Sequence, residues 1–206
     1  MTTTTSAKTA VSLPASGMTL GDLIRLPRAS SAVRDLLLIF GGVALTALAA
    51  RVAFTMPWSA VPYTLQTGAV LFVGVTLGAR RGFASMALYV LVGALGVPVF
   101  VGGASGIGQL LGITGGYLAG FILAALTVGW LAQRGWDRSV PRAAGLMLAG
   151  TLLIYAVGVP VLAFATGMDP LTAIYRGAGV FLPWDLAKVL LAAGALPLAW
   201  RLIGRG

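Results

Sequence analysis

Hydrophobic residues along the chain form six long apolar segments, and polar stretches separate them. The segments cover roughly 36–55, 63–79, 82–97, 115–132, 143–165 and 183–203. Each is close to the roughly 17–25 residues that a helix needs to cross a bilayer. The pattern therefore predicts an all-α integral membrane protein with six transmembrane helices. Residues 1–35 are predicted to form a basic cytoplasmic tail, and residues 36–206 a six-helix transmembrane domain.

Composition supports the membrane prediction and removes most catalytic chemistry. The chain is 58% hydrophobic and 9% charged, with a mean hydropathy of +0.96, which a soluble domain of this size would not tolerate on its surface. It has no cysteine or histidine, and all 5 acidic residues are aspartates. Thiol nucleophiles, histidine bases and the usual metal clusters are thus excluded, so we predict no catalytic residue, metal or cofactor.

Basic residues are distributed unevenly between the two ends of the predicted helices. Arg51 and Lys188 lie within segments, and Arg176 lies in a loop on one side. The other 11 of the 14 basic residues fall on the opposite side. They are Lys8, Arg25, Arg28, Arg34, Arg80, Arg81, Arg134, Arg138, Arg142, Arg201 and Arg205. Because basic loops stay in the cytoplasm, both termini are predicted to lie inside. The net charge of +9 then reflects topology, and no nucleic-acid partner is expected.

Hydrogen-bonding residues concentrate at the predicted outer ends of the second, fourth and sixth segments. They are Thr64, Gln66 and Thr67, then Thr114 and Tyr117, then Trp184, Asp185 and Lys188. Unpaired polar groups cost several kcal/mol in hydrocarbon, so their concentration predicts a shared polar pocket. Thr, Tyr and Trp also occur at ordinary membrane interfaces, which leaves a second explanation open.

Asp185 and Lys188 are the most informative pair. A spacing of three places them on one helical face, which continues through Ala192, Ala195 and Ala199. Small residues indicate helix packing rather than lipid contact, so the pair is predicted to face the bundle. A charge inside a span costs about 2.5–3.5 kcal/mol on insertion scales. Two explanations fit charged residues at this depth: a ligand-binding role, or an ion pair in which the two side chains neutralise each other.

Three other features allow two interpretations each. Arg51 lies about one turn from the outer end of its segment, and it either extends to the interface or contributes to the site. The glycine-rich stretch 102–116 has no lysine and no preceding strand, so a mobile or closely packed outer loop fits better than a phosphate loop. Within that stretch, Gln109 either contacts a ligand or faces water.

Small residues also mark the first segment. Gly42, Thr46 and Ala50 form one stripe, and Ala49 and Ala53 form another. Such spacings let another helix approach closely. The stripes serve internal packing or the docking of a partner protein.

Four blocks in this order resemble the BioY family, the biotin-binding S components of energy-coupling-factor vitamin transporters. The blocks are "VPYTLQT" (61–67), "LYVLVGALGVPVFVGG" (88–103), "TGGYLAGF" (114–121) and "PWDLAKVLLA" (183–192). The likeness covers roughly residues 36–203. The chain departs from many relatives at Ile113, where a proline is common, and in its long tail.

The resemblance implies a six-helix bundle that binds biotin near its outer face in the bacterial cytoplasmic membrane. It places ligand-binding roles on Asp185, Lys188, Gln66 and Thr64, and with Tyr89, Tyr117 and Trp184 they form the expected site. The resemblance also implies a transmembrane coupling protein and two ABC-type ATPases as partners, besides membrane lipids. The chain either depends on these partners for transport or transports without them, and it is either a monomer or a homo-oligomer.

Two rival functions remain. The first is an S component or solute carrier for another vitamin, which would share the fold and the polar pocket. The second is a small membrane-embedded enzyme acting on a lipid or peptide, which the lack of His, Cys and Glu disfavours.

Overall fold

The protein is described by a computed structural model over residues 17–24 and 30–203. Within these residues the helices are α1 (Ser31–Arg51), α2 (Gln66–Ala94), α3 (Ile107–Leu111), α4 (Gly115–Gln133), α5 (Val140–Thr166), α6 (Pro170–Gly177) and α7 (Leu182–Ile203). Two-residue strands β1 (Ala53–Phe54) and β2 (Tyr63–Thr64) pair antiparallel between α1 and α2. The hydropathy pattern did not predict this short ladder. Short 3-10 helices connect several of the remaining elements.

Helix α2 is a hairpin of two antiparallel halves. Gly78, with φ of +82° and ψ of 175°, interrupts its helical backbone. A Cβ atom on Gly82 would lie 3.0 Å from the Cα of Gly74, a contact that a straight helix with a rise of 1.5 Å per residue does not permit. Gln66 at the start of α2 likewise hydrogen-bonds Tyr89 near its end. The two halves therefore correspond to the second and third predicted segments.

Six helical rods make up the bundle: α1, the two halves of α2, α4, α5 and α7. Among the residues that the structure describes, four segments are long and apolar enough to cross a membrane, namely Ser31–Arg51, Gly115–Gln133, Val140–Thr166 and Pro170–Ile203. Large apolar side chains cover the outside of the bundle, and Leu190 and Leu191 of α7 are more than two thirds exposed. Such a surface is typical of a protein whose solvent is lipid.

Glycines allow α2 and α4 to pack at very short distance. A Cβ atom on Gly74 would lie 2.5 Å from Cγ2 of Val128 and 2.7 Å from the carbonyl oxygen of Ala125. A Cβ atom on Gly129 would lie 2.5 Å from the backbone nitrogen of Ala79. Backbone atoms cannot move aside as flexible side chains do, so these positions require glycine.

We expect Gly74→Ala to lower the free energy of unfolding by at least about 1–3 kcal/mol, because the added methyl overpacks the α2–α4 contact. Gly41→Ala is the matched control. It is also a glycine inside a helix, but a Cβ atom there meets nothing within 4 Å. Thermal unfolding in detergent should show a lower midpoint for Gly74→Ala and an unchanged or higher one for Gly41→Ala. Equal midpoints would contradict the close packing described here.

Charged groups join the elements at the end of the bundle where Gly78 lies. Arg81 contacts Asp22 at 2.7 Å and Asp35 at 3.0 Å, so it joins residues 17–24 and α1 to the turn of α2. Burial raises the pKa of the Asp22 carboxyl, but hydrogen bonds from Thr19 and Arg81 outweigh it and the net pKa falls. Residues 17–24 belonged to the predicted tail, and here they pack against the bundle. The boundary at residue 35 stays a prediction.

Between α4 and α5, Asp137 is fully buried and accepts a 2.6 Å hydrogen bond from the indole nitrogen of Trp200. This contact fastens the end of α7 to the loop. Burial raises the pKa of the Asp137 carboxyl.

The first small-residue stripe of α1 serves internal packing. Gly42, Thr46 and Ala50 are buried, and a Cβ atom on Gly42 would lie 2.7 Å from the hydroxyl of Ser85 in α2. Internal packing therefore accounts for this stripe, and a partner-docking role of α1 stays a prediction. Ala49 is partly buried, and Ala53 lies in β1, after the helix ends.

Candidate functional site

A cavity of about 250 Å³ opens at the end of the bundle opposite to Gly78. This end, called here the cavity end, is formed by β2, the first turns of α2, α4 and α7, and the connection between α2 and α4. All eight polar residues from the three helix ends line the cavity. The remaining lining residues are Val61, Pro62, Phe100, Val101, Gln109, Ile113, Leu118, Phe121, Tyr155 and Phe181. Mostly apolar walls with a few convergent polar groups are typical of small-molecule sites.

Asp185 and Lys188 face this cavity from the first two turns of α7. The Lys188 ammonium lies 2.9 Å from one oxygen of Asp185, and only 7% of the Asp185 side chain is exposed. The other oxygen of Asp185 accepts a hydrogen bond from the Tyr155 hydroxyl of α5. The ion pair that the sequence analysis considered does exist, but it is part of a larger network beside a cavity.

Lys188 uses all three of its donors within the protein. Besides the bond to Asp185, its Nζ atom donates to the hydroxyl of Thr67 at 2.6 Å and to the carbonyl oxygen of Thr64 at 3.1 Å. An ammonium has three donors and no acceptor. Lys188 therefore joins α7 to the start of α2, and it must release one of these partners to donate to a ligand. Asp185, by contrast, retains unused lone pairs on both oxygens.

Gln66 lines the cavity and is oriented from behind by Tyr89. The Gln66 amide nitrogen donates to the Tyr89 hydroxyl at 2.8 Å, and that hydroxyl donates to the carbonyl oxygen of Val99 at 2.9 Å. Tyr89 is completely buried and does not reach the cavity. Its direct ligand contact, which the resemblance implied, is therefore not supported by the geometry, because Gln66 lies between Tyr89 and the cavity.

Aromatic rings form one side of the cavity. Tyr155 lies with its ring centroid 6.4 Å from that of Tyr117 and 6.4 Å from that of Phe181. The Tyr117 hydroxyl donates to the carbonyl oxygen of Gly177 at 2.8 Å, so this ring is fixed against α6. Trp184 completes the side from α7. Together the rings give an aromatic surface next to the Asp185 carboxylate.

Sequence reasoning missed Tyr155, although it is the direct partner of Asp185. A signal was present, because Tyr155 is a phenol in the middle of an otherwise apolar segment. A hydroxyl at such depth needs a hydrogen-bond partner, and Asp185 was the candidate carboxylate. The buried face of α7 also differs from the prediction. It runs through Val189, Ala193 and Leu196, whereas Ala195 is exposed.

Comparisons with known proteins agree with one another. The sequence model of the BioY family matches residues 17–205. The chain is 39% identical to "Biotin transporter BioY" of Thermotoga maritima over 76% of this chain and 90% of that protein. It is 36% identical to "Biotin transporter BioY2" of Lactococcus lactis subsp. cremoris over 76% of this chain and 85% of that protein.

A solved structure shares the fold. It is described as the "S-component for biotin from an ECF-type ABC transporter". The TM-score is 0.73 with 22% sequence identity, and the match covers 86% of this chain and 96% of the other. The chain is therefore an all-helical membrane protein with the S-component fold.

Proposed function

The chain belongs to the BioY family, and on this premise we propose that it binds biotin in the cavity and mediates its transport across the cell membrane. It is a transporter subunit and not an enzyme. The observation that supports the proposal most strongly is the Asp185–Lys188–Tyr155 network beside a mostly apolar cavity of about 250 Å³.

The donors and acceptors of the site complement those of biotin. Biotin has two ureido N–H donors, one ureido carbonyl, an apolar sulfur-containing ring and a carboxylate tail. Asp185 has lone pairs for the N–H groups, and the Tyr155 oxygen can accept as well, since its proton points at Asp185. The rings of Tyr117, Phe181 and Trp184 offer an apolar surface to the bicycle.

Lys188 has a different role from that of a side chain that only donates hydrogen bonds to the ligand. Its Nζ atom already has three partners. We infer that it balances the charge of Asp185 and orients its carboxylate, and that it reaches the ligand carbonyl or carboxylate only by exchanging Thr67 or Thr64. Gln66 and Thr64 remain proposed ligand contacts, and Tyr89 takes the role of orienting Gln66.

We expect Tyr155→Phe to weaken biotin binding by about 1–2 kcal/mol, roughly five- to thirtyfold in Kd. The change removes one hydrogen bond to Asp185 and one acceptor while keeping the ring. Tyr175→Phe is the control, because that side chain is 61% exposed and outside the cavity. Equilibrium binding of labelled biotin to the purified variants gives both constants. Unchanged affinity for Tyr155→Phe would exclude the hydroxyl from the site.

In the membrane, we propose six crossings with both termini in the cytoplasm and the cavity end facing outward. Each half of α2 then supplies one crossing. The support is the concentration of basic residues at the other end, which includes Arg80, Arg81 and Arg134. For a bacterial chain the membrane is the cytoplasmic one. In this proposal residues 36–206 are the substrate-binding domain, and residues 1–35 are a basic tail in the cytoplasm.

We also propose that partner ATPases energise transport through a coupling protein. The chain has no phosphate-binding loop with lysine, so it supplies no ATPase site of its own. Internal packing occupies the Gly42 stripe. Any contact of α1 with a partner therefore uses its exposed face, which includes Leu37, Phe40 and Leu48.

A ligand panel tests the proposed substrate against the rival of another vitamin. Purified protein is heated with biotin, dethiobiotin, thiamine, riboflavin or pantothenate, and the unfolding midpoint is recorded. A ligand that binds only the folded protein raises the midpoint, with about 2.7 kcal/mol of stabilisation at a hundredfold excess over Kd. We expect the largest rise with biotin. A larger rise with a different vitamin would replace biotin as the substrate.

A further inference from the structure

One part of the cavity wall is contributed by the connection between α2 and α3, which contains a short 3-10 helix at Val101–Gly103. Residues 98–103, called here the wall segment, follow α2 and carry Phe100 and Val101, which both line the cavity. Phe100 is buried, and its ring fills a notch at Gly93, where a Cβ atom would lie 2.2 Å from the ring. The ring also makes an edge contact with Tyr89 at a centroid distance of 5.5 Å.

Two successive carbonyl oxygens of the wall segment accept hydrogen bonds from side chains of two different helices. Nη2 of Arg51 donates to the carbonyl oxygen of Pro98 at 2.6 Å. The Tyr89 hydroxyl donates to the carbonyl oxygen of Val99 at 2.9 Å. Arg51 is the last residue of α1, and Tyr89 is in the second half of α2. The segment is thus fixed between two helices immediately before the residues that line the cavity.

Arg51 also contacts the far end of the wall segment. Gly103 has φ of +84°, and a Cβ atom there would lie 2.8 Å from Nη1 of Arg51. The guanidinium therefore lies across both ends of the segment. A residue that served only to place its charge at the membrane interface would not need either contact.

We propose that Arg51 is a positioning residue for ligand retention: it holds the wall segment closed over the cavity, and through Phe100 and Val101 it slows the escape of bound ligand. This inference rests on the proposed function, since it concerns the same cavity. Tyr89 couples the wall segment to the ligand, because it hydrogen-bonds Gln66 on the cavity surface. A ligand that contacts Gln66 is thereby coupled to the segment that Arg51 restrains.

The first test measures biotin dissociation rates from purified Arg51→Gln and Arg51→Lys. Without the hydrogen bond from Arg51 to Pro98, Arg51→Gln should release biotin about five to ten times faster than the parent protein. A tenfold change corresponds to about 1.4 kcal/mol. Arg51→Lys keeps one donor for Pro98 and should show an intermediate rate. Arg176→Gln is the control, an exposed arginine of the same end outside the cavity lining, and should behave as the parent protein does.

The two possible roles of Arg51 predict different measurements. A cation in the last turn of α1 also interacts favourably with the helix dipole, so a purely structural role would lower the unfolding midpoint of the ligand-free protein and leave the dissociation rate unchanged. An unchanged rate in Arg51→Gln overturns the inference. Failure of the parent protein to bind biotin would instead overturn the proposed function.

If Arg51→Gln does not fold, a second pair of variants tests the contact between Arg51 and the wall segment. Gly102→Ala and Gly103→Ala both place alanine at positive φ, +66° and +84°, and so share backbone strain. Only at Gly103 does the new Cβ meet Arg51. We expect biotin to dissociate about threefold or more faster from Gly103→Ala than from Gly102→Ala. The new methyl should displace Arg51 and weaken its hydrogen bond to Pro98. Equal rates in the two variants overturn the inference.

Discussion

Asp185→Asn should weaken biotin binding by about 1.5–3 kcal/mol, which is roughly a 10- to 150-fold rise in Kd. The amide retains one acceptor oxygen but loses the negative charge, and it presents donors where the ureido N–H groups should bind. The change also leaves the Lys188 ammonium without its counter-charge at a distance of 2.9 Å. Equilibrium binding to purified protein measures the effect.

Asp169→Asn is a stringent control for that variant. Asp169 lies before α6 and caps it through hydrogen bonds from the backbone of Leu171 and Thr172. Asparagine caps helices as well as aspartate does, so the control removes a carboxylate from the same end of the bundle without losing the cap. Biotin affinity should be unchanged. If both variants lost affinity alike, the overall charge and not the position of Asp185 would be responsible.

Lys188→Met should both destabilise the protein and abolish most biotin affinity. Methionine keeps the length of the side chain but removes every donor, so Asp185 loses its counter-charge. Breaking a buried ion pair costs about 3–5 kcal/mol, and we expect about 2–3 kcal/mol because 16% of the Lys188 side chain is exposed. The unfolding midpoint and the biotin Kd are measured on the same preparation.

The double variant Asp185→Asn with Lys188→Met separates stability from binding. With no uncompensated carboxylate, it should be more stable than Lys188→Met alone, as expected for residues whose effects are not additive. It should still fail to bind biotin tightly, since the acceptor charge is absent. A double variant that is less stable than both single variants would contradict the interpretation of Asp185 and Lys188 as a mutually neutralising pair.

Hydropathy predicted the helices well because lipid exposure leaves a long apolar pattern in the sequence. The predicted segments 115–132 and 183–203 differ from α4 and α7 by one residue at one end of each. The separation of the second and third segments depended on Arg80 and Arg81, and the actual break is at Gly78. Charge and glycine both mark a turn there, and a glycine at positive φ determines its position.

The polar residues of the site could be predicted because polar groups are rare in apolar segments and therefore stand out. All eight polar residues of the three helix ends line one cavity. What spacing alone could not give was the direction of a side chain relative to other helices. The resemblance gave Tyr89 and Tyr117 the same ligand-binding role, yet the structure places Tyr89 behind Gln66 and Tyr117 on the cavity wall.

Packing partners were also beyond the sequence pattern. A stripe of small residues permits close approach but does not identify the helix that approaches. For Gly42 and Thr46 that helix is α2 of the same chain. The sequence also did not reveal that Lys188 uses all three of its donors. One of its acceptors is the backbone carbonyl oxygen of Thr64, and a backbone acceptor cannot be identified from residue types.

The most direct measurement is an experimental structure of the purified protein with biotin bound. The account predicts that the ureido group lies in the cavity with an N–H nitrogen about 2.7–3.2 Å from a carboxylate oxygen of Asp185. The bicycle should lie against the rings of Tyr117, Phe181 and Trp184. Biotin bound elsewhere, or bound in the cavity without any contact to Asp185, would contradict it.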